Sequence, residues 1–333
     1  MINDERVDVI LCGVGRMGRN HLRVIQESSR FRLRAIVDPI LAAKATEVSG
    51  TPVRASVDDV PDGDYRAAVV ATPTETHHGV AIRLLQKGKD LLIEKPLASN
   101  TAQCAEIARL ATERGRKVAV GHVERFNPVV RKLREILKSG WAGTAIHYTF
   151  TRVGGYPESV KDGNNVLIDL AVHDIDILQM LAGEVSLLSS VIHNTIQPSV
   201  SDTAEMLLRS TGGASASIHV NWITPTKIRT VRITGSKGVV FADLILQTCT
   251  IYGGNLLRRG PEPQLDFQQL AEDYRNPDKI DFGVRKEEPL RGQLDAFHRF
   301  LFGEETEICG LAEATRSVEL AQEAVAVAKG GRT

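Results

Sequence analysis

Over roughly the first 120 residues, apolar positions fall in short unbroken runs separated by stretches of mixed polarity. VDVILC at 7–12, LRAIVD at 33–38, AAVVA at 67–71, DLLI at 90–93 and KVAV at 117–120 are rich in branched aliphatic residues, as strands buried on both faces require. Between them, helical spacing covers the stretch up to about Ser28, then 40–49, 76–87 and 102–114. Asn100 and Gln103 have the spacing of a capping box before the last of these, and Gly115 suits its end. Regular strand–helix alternation predicts right-handed crossovers and a parallel, doubly wound sheet.

After Gly121 the period changes. Residues 128–138 form a basic amphipathic helix, and from Ala145 to about Tyr252 the pattern is mostly two-residue alternation. In ASASIHVNW at 214–222, Ala216, Ile218, Val220 and Trp222 share one face, with Ser215, Ser217, His219 and Asn221 on the other. Such a pattern predicts an antiparallel sheet with one apolar side. A single helix, 166–181, interrupts it. Residues 253–290, rich in Gly, Pro and charge, read as a surface excursion, and helices at 290–302 and 311–329 close the chain. The expected fold is therefore α/β: a Rossmann domain over 1–122, then an α+β domain over 123–333 with a large, mainly antiparallel open sheet. An open sheet face predicts a homo-oligomer, a dimer or tetramer.

Composition narrows the possibilities. Lys plus Arg equals Asp plus Glu at 41 each, which gives no electrostatic footprint for nucleic acid or an anionic membrane. Apolar runs are too short for a membrane span, and the opening MINDERVDVILCG lacks the basic lead of a secretory signal. Cys12, Cys104, Cys249 and Cys309 lie far apart, as buried small hydrophobes in a reducing, cytoplasmic setting do. No histidine or cysteine spacing suggests a metal site, and none is expected.

Chemistry enters with Gly13-x-Gly15-x-x-Gly18, which follows a strand and opens a helix, with Asp38 ending the next strand. That context defines a dinucleotide fingerprint. Gly13 serves the tight turn, Gly15 lets the backbone approach the pyrophosphate, and Gly18 permits close helix–strand packing. The helix start at Arg16 and Met17 offers N–H groups to phosphate. Asp38 would accept bonds from the ribose hydroxyls and repel a 2′-phosphate, so NAD is expected rather than NADP.

Three later segments extend the fingerprint: ATPTETH at 71–77, EKP at 94–96, and DLAVHDID at 169–176. Together they resemble the glucose–fructose oxidoreductase / inositol dehydrogenase / MocA family over nearly the whole chain. GHVERFNP at 121–128, TRVGG at 151–155 and NVLIDLAVHD at 165–174 are most similar to its sugar-nucleotide 3-dehydrogenases. The resemblance implies oxidation of the 3-hydroxyl of UDP-N-acetylglucosamine or its uronic acid, to a ketone that an aminotransferase consumes. It also implies a cofactor site including Thr72, Pro73, His77, Glu94 and Lys95.

Oxidising a secondary alcohol needs a base for the hydroxyl proton as hydride departs. Lys95, just beyond a strand, lies at the sheet edge where open α/β folds bind ligands. Nicotinamide charge and partial burial there both favour the neutral amine. Asp169 and His173, four apart, share a helical face that Asp176 continues. Either Lys95 or His173 can be the base, with Asp169 orienting the sugar or tuning Lys95. Arg125 and Arg152 are candidates for the substrate phosphates, Asn127 for a hydroxyl or the uracil, and Tyr156 for stacking. A free-sugar or cyclitol dehydrogenase, and an NAD-binding regulator without turnover, are the alternatives.

Overall fold

Strand β1 (Val7–Cys12) shows how the first part of the chain is built: Val9 and Leu11 enter one apolar cluster, Ile10 and Cys12 another, and all four are buried. A strand between two covered faces reads almost wholly apolar, and the one polar residue of β1, Asp8, is only half-buried and pairs with Arg32. The computed structural model describes residues 6–157, 160, 165–253 and 278–330. The chain divides into two units, Met1–Phe126 with Glu288–Glu319, and Asn127–Glu287 with Leu320–Thr333.

In the first unit β1 pairs with β2 (Phe31–Val37) and β5 (Ala67–Val70), followed by β6 (Asp90–Glu94) and β7 (Val118–Gly121), all in parallel. A short hairpin, β3 (Glu47–Val48) and β4 (Thr51–Arg54), extends the other edge. The helix expected over 40–49 is thus cut to α2 (Pro39–Ala42). Ser49 and Gly50, both at positive φ, turn the chain back instead, as a two-residue hairpin requires. Helices α3 (Thr74–Gln86) and α4 (Thr101–Arg114) contribute Ala81, Leu84, Cys104 and Ile107 to the cluster under one face. Helix α1 (Arg16–Glu27) and helix α7 (Pro289–Leu301) supply Val24, Ile25, Leu294 and Phe297 under the other. Each such side chain contributes about 2 kcal/mol by leaving water. By its contacts the first unit runs to Phe126 and takes in Glu288–Glu319.

The second unit is an eight-stranded sheet in the order β15-β14-β13-β12-β8-β11-β10-β9. Its strands are β8 (Ala145–Val153), β9 (Val185–His193), β10 (Thr203–Ser210), β11 (Ser215–Asn221), β12 (Ile228–Gly235), β13 (Gly238–Asp243), β14 (Thr248–Gly253) and β15 (Asp278–Phe282). Among the strands of the described residues only β8 and β11 pair in parallel, and the other strand pairings are antiparallel. The 253–290 excursion is corrected in part, because 278–282 form β15; 254–277 lie outside the described residues. The inner face packs on α5 (Pro128–Ser139), α6 (Val172–Ala182) and the end of α8 (Leu311–Gly330), through Leu133, Ile175, Ile218, Ile233 and Ala321. The opposite face carries Thr203, Glu205 and Leu207 of β10 and Phe241 of β13, none of them buried.

All four cysteines are buried and unbridged. Burial pushes the Cys12 thiol up to about 12 and those of Cys104 and Cys249 up to about 11, so they remain apolar and unreactive. Among the described residues no helix is long and apolar enough to cross a membrane.

Candidate active site

The glycine loop is held by backbone geometry. Gly13 has φ +89, and a Cβ there would lie 2.7 Å from the Ala71 carbonyl oxygen. A Cβ at Gly18 would collide with the Gly13 carbonyl. Gly15 differs: nothing lies within 4 Å of its Cβ position. Two glycines therefore answer to packing, and the third faces the open space a pyrophosphate needs. Gly15 is also the N-cap of α1 and brings no side-chain cap, so the first N–H groups at Arg16 and Met17 are left for an anion.

Asp38 has more work than expected. Its Oδ2 accepts the Val14 N–H at 3.0 Å, while Oδ1 accepts those of Ile40 and Leu41 at 3.0 and 2.9 Å. One carboxylate thus ties the glycine loop to α2. A carboxylate has roughly four acceptor positions, which leaves room for one ribose hydroxyl.

Beyond β5 and β6 two loops are laced together. His77, buried on the first turn of α3, places its ring nitrogens 2.9 Å from the carbonyl oxygens of Pro96 and Thr72. Burial draws its pKa below the ordinary histidine value, against the pull of those two carbonyls. It fixes the Thr72–Pro73 loop against the loop bearing Lys95 rather than capping its own helix, where Pro73 is the N-cap. The Lys95–Pro96 peptide bond is cis. Glu94 is buried, its Oε1 is 2.7 Å from His21 Nε2, and its Oε2 accepts the Lys95 N–H at 3.3 Å. Burial alone would raise this carboxyl; the His21 bond and the charges of His21, Lys95 and His77 outweigh it and hold it below the usual range. Sequence reasoning missed His21. The signal was there, a histidine on the buried stripe of an otherwise amphipathic helix.

In the second unit the helix expected over 166–181 has two parts. Leu167–Ala171 is a π-helical turn, with α6 continuing from Val172. The wider turn carries Asp169, and His173 follows in the first turn of α6; both are half-buried. Such π turns recur at functional sites because they re-aim one side chain without ending the helix. Asn165 caps the start, its Oδ1 accepting the Leu167 N–H at 2.8 Å.

Four residues expected to meet substrate have partners within the protein. Arg152 is buried and grips Asp174, its Nε 3.0 Å and Nη2 2.8 Å from the carboxylate, so the fork a phosphate would use is engaged. Asp174, in the first turn of α6, was the missed partner. In the first unit, Arg125 donates from Nη1 to the Glu313 carboxylate at 3.1 Å. Asn127 caps α5 through Val129 N–H and donates to the Leu244 carbonyl at 2.9 Å. Tyr156 meets the edge of Trp222 at 6.2 Å between ring centroids. The buried Tyr156 hydroxyl and Trp222 indole N–H have no hydrogen-bond partner among the described residues.

A family model for oxidoreductases with an NAD-binding Rossmann fold matches residues 7–122, and one for the GFO/IDH/MocA C-terminal domain matches 130–241, together more than half of the chain. The chain belongs to the GFO/IDH/MocA oxidoreductase family. Its first unit is accordingly the family's NAD-binding domain, and the open Gly15 cradle fits that cofactor. Among family members, inositol 2-dehydrogenase 2 of Saccharopolyspora erythraea is 30% identical over 226 residues, 64% of this chain and 66% of that protein. The chain thus spans just under two thirds of that relative. An inositol 2-dehydrogenase of Rhodococcus jostii is 28% identical over 73% of this chain and 69% of its own. Two family structures share the fold from end to end. UDP-N-acetylglucosamine 3-dehydrogenase GnnA from Acidithiobacillus ferrooxidans has a TM-score of 0.82 at 22% identity, covering 98% of this chain and 99% of that one. The WlbA dehydrogenase from Bordetella pertussis, in complex with NADH and UDP-GlcNAcA, has a TM-score of 0.76 at 23% identity, covering 98% of both.

Proposed function

We propose that the protein is an NAD-dependent dehydrogenase that oxidises the 3-hydroxyl of a UDP-sugar, foremost UDP-N-acetylglucosamine, to the 3-keto sugar used by an aminotransferase. The observation that carries this reading is Lys95, placed directly after β6 in the NAD-binding unit and held there by two buried histidines. Bound NAD would supply the hydride acceptor. Lys95 or His173 takes the hydroxyl proton as the carbinol hydride departs, and Asp169 orients the sugar ring. The likeness to GnnA and WlbA, and the segments at 121–128 and 165–174, support a nucleotide-sugar substrate.

A second reading, a free cyclitol or sugar, is favoured by a specific observation. Arg125 and Arg152 are both engaged by carboxylates, and the relatives at 28–30% identity are inositol dehydrogenases. Reduced-cofactor absorbance decides between them. The enzyme is incubated with NAD or NADP and UDP-N-acetylglucosamine, its uronic acid, or myo-inositol, with an aminotransferase drawing off the ketone. Turnover of the UDP-sugars with NAD is expected; turnover of inositol alone would replace this reading with the second. NAD binding without turnover of any sugar would point to a regulator.

The open face of the second sheet is part of the same proposal. Leu207 and Phe241 on it are 42% and 45% exposed, and a second copy of the chain packing there would cover them.

A further inference from the structure

We propose that His21 and Glu94 form a buried positioning pair through which the helix that opens the dinucleotide loop fixes Lys95. This rests on the dehydrogenase reading above and adds to it His21, with a positioning role for Glu94 toward Lys95. His21 lies on α1, within two turns of the open N–H groups at Arg16 and Met17, and is wholly buried. Its Nε2 reaches Glu94 Oε1 at 2.7 Å, and the other carboxylate oxygen holds the backbone N–H of Lys95. The space for this carboxylate is cut to measure. At Gly121, the end of β7, a Cβ would come within 3.1 Å of Glu94 Cα, Cδ and Oε1.

A buried carboxylate costs several kcal/mol unless it is paired. Two apolar side chains would fill the same volume without that cost, so stability alone does not explain the pair. Its geometry does. An ionised carboxylate only accepts hydrogen bonds, and here it accepts from α1 on one side and from the Lys95 peptide on the other. The helix that receives the pyrophosphate and the residue that handles the proton are therefore joined by one rigid link, and a misplacement of about 1 Å at such a point can cost two orders of magnitude in rate.

The test compares His21→Leu, His21→Gln and Glu94→Gln with the wild type. His21→Leu should lower kcat by about 10- to 100-fold while the KM for NAD stays within about threefold, and His21→Gln, whose amide can donate to Glu94, should recover much of the loss. Without its donor Glu94 keeps only the charges of Lys95 and His77 against burial, so the acid limb of kcat/KM should move up in His21→Leu. A purely structural role would lower stability without moving that limb. An unmoved limb, or His21→Gln no better than His21→Leu, overturns the proposal. If His21→Leu does not fold, Glu94→Gln is decisive, since it keeps the shape and removes the charge, and wild-type kcat in that variant also overturns it. Should the wild type turn over no sugar, thermal unfolding with NADH bound decides between pH 4 and 7. Glu94 held below its ordinary 4.5 stabilises the wild type above that value and ceases to as pH falls through the lowered one. His21→Leu should therefore fall away from the wild type as pH rises through 4.5, and parallel curves would show that the pair does not exist.

Discussion

The two sheets dispose of their faces in opposite ways. In the first, consecutive residues of β1 enter different apolar clusters, and helices, including α7 from far along the chain, close both sides. In the second, Ala204, Met206 and Leu208 of β10 are buried while the residues between them are not. Glu94, buried at the end of β6 and bonded to His21 of α1, marks the working edge of the sealed sheet. In the half-covered sheet the buried charge, Arg152 with Asp174, lies on the sealed side beneath α6. The first sheet is thus a finished platform for a cofactor, and the second divides its faces between a helix-bearing side and an open one.

The largest expected effect strikes the working edge. Lys95→Met should lower turnover by roughly two to four orders of magnitude while NADH affinity, measured by fluorescence titration, is retained. Near-normal turnover would remove Lys95 from the mechanism and leave His173 as the base.

Next in size is a break in the sealed side of the second unit. Asp174→Ala removes the carboxylate that the buried Arg152 guanidinium grips, and loss of one partner of a buried pair costs about 3–5 kcal/mol. Chemical denaturation should show that loss, and the double change Arg152→Met with Asp174→Leu should recover most of it. A cost below about 1 kcal/mol would mean that the pair is not structurally important, and would return Arg152 to the list of phosphate ligands.

Much of this contrast was legible in the residues. Unbroken apolar runs give the doubly covered sheet, and strict alternation in 214–222 gives the half-covered one, because side-chain periodicity reports directly on how many faces are buried. The glycine loop was legible from its spacing between a strand and a helix, where Gly13 and Gly18 answer to packing and Gly15 leaves open space. Three things were not. Arg152 looks like a phosphate ligand because a sequence cannot show that Asp174, on another element, already fills its fork. The π turn at 167–171 adds a residue to one turn without any residue type that announces it. Helix α7 lies some 160 residues beyond the sheet it covers, and apolar spacing states that a helix has a buried face but not which surface buries it.

A smaller effect should separate the open face from the covered ones. Leu207→Glu places a charge where a second copy is proposed to pack, and light scattering at micromolar concentration should show dissociation of the oligomer with little change in the melting temperature of each chain beyond the loss of association. A wild-type protein that is already monomeric would remove the proposed occupant from this face. The same change on the covered side, Met206→Glu, should instead prevent folding, since it would bury an unpaired carboxylate.

The smallest effect compares one histidine from each unit by pH. Burial draws both His77 and His147 below the ordinary histidine value, His147 with help from the neighbouring Arg232 charge, but His77 is almost wholly enclosed and His147 only partly, between Ser215 and Ser217. A lowered folded value means that the unfolded chain binds the proton more readily between that value and about 6.5, so folding stability rises with pH through this window and is level above it. Removing the ring removes that slope. The stability advantage of the wild type over His77→Gln should therefore be largest at pH 8 and shrink toward pH 5, with a shallower change for His147→Gln. A difference that stays constant across the range would mean that His77 binds its second proton equally well in the folded and unfolded chain, and that its enclosure between the Thr72 and Pro96 carbonyls does not draw the pKa down.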